Sequence, residues 1–212
     1  MKGKPLFITG IGTYVGKTIV SAVLCEQLKA DYWKPVQSGD LHDTDSDKVW
    51  SLISNPITVI CTEAHRFAMP ASPHKAAKAE GITIKPEDFV LPETKNKLLI
   101  EGAGGLFVPL STDFMMIDLI EKFKADVVLV VRNYLGCINH TLLSIHTLIS
   151  KNLHLKHVVF NGNFDDDTLD LLLEKLPENT TWSILPEFKT LNKITISLAP
   201  TQFPELINSP KL

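Results

Sequence analysis

Short apolar runs alternate along the chain with stretches in which apolar residues return every three or four positions. Leu6-Phe7-Ile8 is the first run and ends at Thr9-Gly10; beyond a glycine-rich stretch, Ile19, Val20, Val23, Leu24 and Leu28 recur at helical spacing. Residues 32–36 and 98–100 predict two further strands, the second running into Gly102-Ala103-Gly104-Gly105. Residues 127–131 are almost all β-branched, the pattern of a parallel strand buried on both faces. Helices are expected over 142–149 and 169–176, and strands over 158–160 and 181–185. Strand followed by helix, repeated, is the signature of a parallel α/β sheet with helices on both faces. In such sheets ligands bind at the carboxyl ends of the strands. Residues 70–92, rich in Pro, Ala and charge, read equally as a helical excursion or as a lid.

Composition narrows the classes. A chain of 212 residues, 44% apolar and 21% charged, is long enough for one domain with a full core. A formal net charge of −3 offers no basic surface, so nucleic acid is not an expected partner. No apolar run approaches the roughly 20 residues that span a bilayer, so no membrane is expected. Met1 through Lys4 lead straight into the first strand, leaving no room for a signal peptide. Cys25, Cys61 and Cys137 are far apart and without metal-ligand spacing, which reads as reduced thiols in a cytoplasmic protein; Cys25 falls on an apolar helical face and reads as core.

The chemistry begins at Gly10-Ile11-Gly12-Thr13-Tyr14-Val15-Gly16-Lys17-Thr18, between a strand and a helix. Glycines let successive backbone N–H groups point at phosphate oxygens, and the helix start adds the positive end of its dipole. Lys17 should reach the β- and γ-phosphates, and the Thr18 hydroxyl should ligate Mg2+. The fold expected is therefore α/β and P-loop NTPase-like, a parallel sheet with helices on both faces, as a single domain over 1–212. The spacing is atypical: Ile11 stands where the first glycine is standard. Gly12 stands where septum-positioning and plasmid-partition ATPases carry a signature lysine, which counts against that class.

Four further segments carry candidate chemistry. Lys34-Pro35-Val36-Gln37-Ser38-Gly39 closes the second strand and aims a lysine at the ligand side; a solvated strand-end lysine is the plain alternative. Asp43, Asp45 and Asp47 follow; such carboxylates can hold Mg2+ or can cap and charge the start of the helix carrying Val49, Leu52 and Ile53. Glu101 ends a strand just before the second glycine cluster, where an acid is rare without a partner and a metal ligand is expected. Leu135-Gly136-Cys137-Ile138-Asn139-His140-Thr141 precedes a helix, and its N–H groups suit an anion; capping by Asn139 is the ordinary alternative.

Taken together, the segments resemble the dethiobiotin synthetases. The resemblance rests on the phosphate loop, Lys34-Pro35-Val36 with Ser38-Gly39, Pro70-Ala71-Ser72-Pro73-His74, Glu101-Gly102-Ala103-Gly104-Gly105, and Leu135 through His140, in family order. It implies ATP- and Mg2+-dependent closure of the ureido ring of dethiobiotin from 7,8-diaminopelargonate and CO2, through a carbamate and a carbamic-phosphoric anhydride. It implies Lys34, Lys17 and Thr13 as catalytic, and Thr18, Asp47 and Glu101 as Mg2+ ligands. Nucleotide contacts would come from Gly12, Thr13, Tyr14, Val15, Gly16, Lys17, Thr18, Ile19 and Asp47. Asn161 and Gly162, then Pro186, Glu187 and Phe188, would add contacts on the base side. Substrate contacts would come from Ser38, Glu101, Gly102, Ala103 and Gly104, and from Leu135, Gly136, Cys137, Ile138 and Asn139. In the family the segment from Gly136 to His140 of one subunit reaches the partner's substrate, so a homodimer with its site at the subunit interface is implied. Small-molecule kinases would share the loop but usually need an arginine-rich lid, and the arginines here are Arg66 and Arg132. Amidoligase domains of cobyrinate synthesis usually carry an added glutamine-hydrolysing domain, and none is visible.

Overall fold

In a computed structural model describing residues 3–199, the fully buried β1 (Leu6–Gly10) lies in the middle of a seven-stranded sheet. Met1 and Lys2 of the leader reading, and residues 200–212 of the expected domain, lie outside the described residues. The chain continues through α1 (Lys17–Leu28), β2 (Asp31–Trp33), β3 (Val36–Ser38), α2 (Asp45–Leu52), β4 (Ile60–Cys61), β5 (His65–Phe67), α3 (Pro73–Ala79) and a 3-10 turn at Pro86–Asp88. It then forms β6 (Leu98–Glu101), α4 (Met116–Phe123), β7 (Asp126–Arg132), α5 (Cys137–Ser150), β8 (Leu155–Asn161), α6 (Asp166–Glu174), β9 (Thr181–Leu185) and α7 (Lys193–Ser197). The strand order is β4-β2-β6-β1-β7-β8-β9, and every pairing is parallel.

The chain moves from β1 towards one edge through α1, and from β7 towards the other through α5 and α6. Right-handed crossovers put those two sets of helices on opposite faces. α1 packs with α2 and α7, while α5 packs with α6 and against β7 and β8. The sheet is covered on both sides, which is why residues 127–131 carry no polar alternation: all are completely buried. Each large side chain sealed there, such as Phe7 or Phe160, contributes about 2 kcal/mol of burial.

The structure departs from the sequence pattern at the second strand. A single strand over 32–36 is expected, yet β2 stops at Trp33 and β3 starts at Val36. Pro35 has no N–H for the ladder. The chain leaves the main sheet there, and β3 pairs instead with β5 in a separate parallel ribbon. That step projects Lys34 out of the sheet at its carboxyl end. Residues 70–92 contain α3 and the 3-10 turn, and α3 packs against β3 and β5. The expected helix over 142–149 starts earlier, at Cys137, directly after Gly136, which stands at φ 102°. No described helix is long and apolar enough to cross a membrane, and Cys25, Cys61 and Cys137 are free thiols.

Candidate active site

The phosphate loop is set by β1 and closed by a glycine at a backbone conformation that strains any other residue. Ile11 N–H still donates to Val130 O at 3.1 Å, extending the β1–β7 ladder by one residue. The chain then turns, and Gly16 at φ 93° delivers it into α1. A Cβ on Gly16 would fall 2.0 Å from Asn161 Nδ2, which itself donates to Val15 O at 2.9 Å. Asn161, at the end of β8, thus fastens the loop from beneath. Across the loop, a Cβ on Gly105 would lie 3.1 Å from Gly10 O, so the two glycine clusters approach backbone to backbone.

Lys17, the first residue of α1, folds back and donates to Gly12 O at 2.9 Å. Burial, and then the charge of Lys34, lowers its pKa to about 8. An ammonium so placed gains from any anion that enters. Thr13, Tyr14, Gly16, Lys17, Thr18 and Ile19 line a cavity of about 620 Å³, and Lys34, Gln37, Ser38, Asp45, Glu101, Ala103, Gly104 and residues 70–73 are also in its wall.

Glu101 is the hub of that cavity and is 1% exposed. Its Oε1 accepts from Lys34 Nζ and from Thr18 Oγ1, each at 3.0 Å. Its Oε2 accepts from Ser21 Oγ at 2.7 Å and from Tyr32 OH at 3.0 Å. Asp45 stands opposite: Oδ2 is 2.7 Å from Lys34 Nζ, and Oδ1 is 3.0 Å from Thr18 Oγ1. Burial alone would pull Lys34 down, but Glu101 and Asp45 outweigh it and hold the ammonium above the ordinary lysine value. Burial likewise disfavours the Asp45 carboxylate, and Lys34 more than offsets it, so its pKa is lowered. Ser38 Oγ is buried against the cavity with no hydrogen-bond partner among the described residues.

One expected ligand is displaced. Asp47 does not face the loop; it is exposed and occupies the third position of α2. Its N–H donates to Thr44 Oγ1, and its carboxylate accepts from Thr44 N–H, both at 3.0 Å, forming a capping box. The cap holds Asp47 outward and turns Asp45, two residues earlier, inward. The pattern Thr44-Asp45-Ser46-Asp47, a threonine with an acid three residues on, is the signal that distinguishes the two acids. Asp43 also points away, 3.6 Å from Lys48. Ser21 and Tyr32, which orient Glu101, carry no motif; the register of α1 and β2 beneath the loop brings them in.

The remaining segments fall into two groups. Asn161 and Gly162 lie beside Pro186, Glu187 and Phe188, since Asn161 pairs with Leu185 and Gly162 N–H donates to Leu185 O at 2.8 Å. Glu187 is tied to Arg132 at 2.9 Å. This group borders the loop through Asn161. Leu135, Gly136, Cys137, Ile138 and Asn139, by contrast, form the first turn of α5 and its approach, and none lines the chain's own cavity. Cys137 is buried, whereas Leu135 is fully exposed. Tyr134 OH lies 2.7 Å from His140 Nδ1, and a Cβ on Gly12 would meet that hydroxyl at 3.7 Å.

Known proteins share both the sequence and the fold. A family model described as an AAA domain matches residues 4–195. An ATP-dependent dethiobiotin synthetase from Christiangramia forsetii is 49% identical over 173 residues, 82% of this chain and 83% of its own. Another, from Cytophaga hutchinsonii, is 41% identical over 201 residues, 94% of this chain and 97% of its own. A third, from Rhodopseudomonas palustris, is 45% identical over 80% of both chains. Among solved structures, a ParA family ATPase from Chlorobium tepidum matches with a TM-score of 0.52 at 13% identity over 97% of both chains. The signal recognition particle receptor FtsY from Elizabethkingia anophelis matches with a TM-score of 0.50 at 14% identity, covering 94% of this chain and 61% of its own. The last two are likenesses of fold alone.

Proposed function

The chain belongs to the ATP-dependent dethiobiotin synthetase family, and we propose that it makes dethiobiotin from 7,8-diaminopelargonate, CO2 and ATP. One amine of the substrate captures CO2 as a carbamate. The carbamate oxygen attacks the γ-phosphorus, giving a carbamic-phosphoric anhydride and ADP. The second amine then attacks the anhydride carbon, closes the five-membered ring and expels phosphate.

The observation that carries this reading is the position of Lys34. Its buried ammonium, 2.7 Å from Asp45 and 3.0 Å from Glu101, stands between the phosphate loop and the wall formed by Ser38 and residues 70–73. A carbamate is a weak anionic nucleophile, and its attack on a phosphoryl group brings negative charges together. A fixed cation at that junction neutralises both without reorganising, and most of the catalysis comes from such positioning. Lys17 and the loop N–H groups hold the β- and γ-phosphates, and Thr13 sits at the loop apex between donor and acceptor. The Ser38 hydroxyl, without a hydrogen-bond partner among the described residues, has a hydrogen bond to offer the substrate. Asn161, Gly162 and residues 186–188 form the base side.

Mg2+ fits the donor set. Thr18 Oγ1 lies 3.0 Å from both an Asp45 and a Glu101 oxygen, a cluster of hard oxygen donors against the phosphate loop. Thr18, Asp45 and Glu101 are the residues to hold it, with Asp45 in the place expected of Asp47. Bound with ATP, the ion would offset phosphate charge. The reduced thiols suit a cytoplasmic enzyme. The exposed segment 135–139 suits a homodimer in which it completes the partner's substrate site.

ADP release from ATP is the direct test. It should require both diaminopelargonate and bicarbonate and should be matched by dethiobiotin formed. Substrate-independent hydrolysis, or no turnover with this diamine, would overturn the assignment.

A further inference from the structure

Glu63 is a buried carboxylate that the reaction as described does not use. Its side chain is 4% exposed and does not line the cavity. It follows β4 on a segment pinned to both neighbours of Lys34. Trp33 Nε1 donates to Thr62 O at 3.0 Å, and Ala64 and His65 N–H donate to Pro35 O at 3.0 and 3.1 Å. From this fixed base Glu63 Oε1 accepts from Ser46 Oγ at 2.5 Å, and Oε2 lies 3.5 Å from Arg66 Nη1. Arg66 Nη2 in turn donates to Leu41 O at 3.4 Å. One carboxylate and one guanidinium therefore hold the first turn of α2, at Ser46, and the loop before it, at Leu41. Asp45 sits between that Ser46 grip and the Thr44 cap, and its own N–H makes a long bond to Gln37 Oε1 at 3.4 Å.

We propose that Glu63 is a positioning residue for the metal side of the site: by holding Ser46 it fixes Asp45 at the distance from Thr18 and Glu101 that a divalent cation needs. The inference rests on reading Asp45 as a metal ligand. Glu63 acts through the Ser46 hydroxyl and touches neither nucleotide nor substrate. Partners of this kind set how well a first ligand holds its ion.

The test measures ADP affinity of the full chain by calorimetry, with and without Mg2+. The ratio of the two constants is the contribution of the metal. Glu63→Ala and Ser46→Ala should each lower that ratio by about tenfold while metal-free ADP affinity stays unchanged. Glu63→Gln should keep most of the ratio, since the amide oxygen still accepts from Ser46. A Glu63→Ala chain that melts earlier but keeps the ratio would reduce Glu63 to a staple of the fold. Equal weakening with and without Mg2+ would overturn the proposal as well. Should Glu63→Ala fail to fold, Ser46→Ala decides. A wild-type chain whose ADP affinity ignores Mg2+ would instead overturn the metal assignment itself.

Discussion

Glu101 joins, on two oxygens, side chains from two elements and the link after them: Thr18 and Ser21 of α1, Tyr32 of β2, and Lys34 just beyond it. A carboxylate so buried is tolerable only when fully hydrogen-bonded, which makes it rigid, and rigidity is what a phosphoryl-transfer site needs. Lys34 and Glu101 were legible in the sequence because each sits alone at a strand end, where the fold has one direction for it. Asp45 was not, because Asp43, Asp45 and Asp47 alternate and their sorting depends on where α2 starts. Thr44 decides that, by capping. The two acids should therefore part in mutagenesis. Asp45→Ala and Lys34→Ala should each lower kcat by about 100-fold or more with ADP affinity in the absence of metal nearly kept. Asp47→Ala should cost on the order of 1 kcal/mol of stability through the lost cap and little turnover. Steady-state kinetics beside a denaturant titration separates these outcomes; a turnover loss in Asp47→Ala equal to that in Asp45→Ala would reverse the assignment.

Elements were readable from the pattern to the degree that they are long and covered on both sides. β9 runs from Thr181 to Leu185 as expected, and β7 and β8 extend the predicted runs by a residue or more at their ends. β4 and β5, of two and three residues, are too short to show any period. They exist because β2 and β3 offer them an edge. Helix α4 is not among the elements expected from the sequence, although Met116, Leu119, Ile120 and Phe123 stand at helical spacing and are all buried. The β8–β9 pair holds a polar surprise. His157 is buried between Thr181 Oγ1 at 2.6 Å and Ser183 Oγ at 2.9 Å, and burial lowers its pKa to about 4. In the unfolded chain a histidine titrates near 6.5, so the unfolded state takes up the proton first. The stability this neutral ring contributes is complete above about pH 7 and is lost as pH falls from the unfolded value towards the folded one. Between pH 7 and pH 5 the loss from this site should be about 2 kcal/mol. His157→Gln, which does not titrate in that range, should show a correspondingly smaller loss in urea unfolding at the two pH values. Equal losses in both chains would mean that His157 is not neutral in the folded state.

At the scale of the whole molecule, one chain supplies a phosphate loop, a buried lysine and a cavity, but not all the residues expected to contact the substrate. Segment 135–139 stands outside the chain's own cavity, with Leu135 fully exposed and Leu143 on the same helix 57% exposed. Nothing in periodicity or composition separates a segment that serves its own site from one that serves a neighbour's. If the segment acts across a two-fold interface, each site draws on two chains. Lys34→Ala spoils the loop side of a site. Gly136→Val, which forces a branched residue to φ 102°, distorts the start of α5 and spoils the other side. Each homodimer should be nearly inactive. In a mixed dimer one site carries both defects and the other carries neither. Random reassortment after mild dissociation should therefore restore activity to about one quarter of the wild-type level, since half the dimers are mixed and each has one intact site. A segment that worked within its own chain would leave both sites of the mixed dimer defective, and no activity would return. Sedimentation of the wild-type chain as a monomer at assay concentration would end the two-chain site directly.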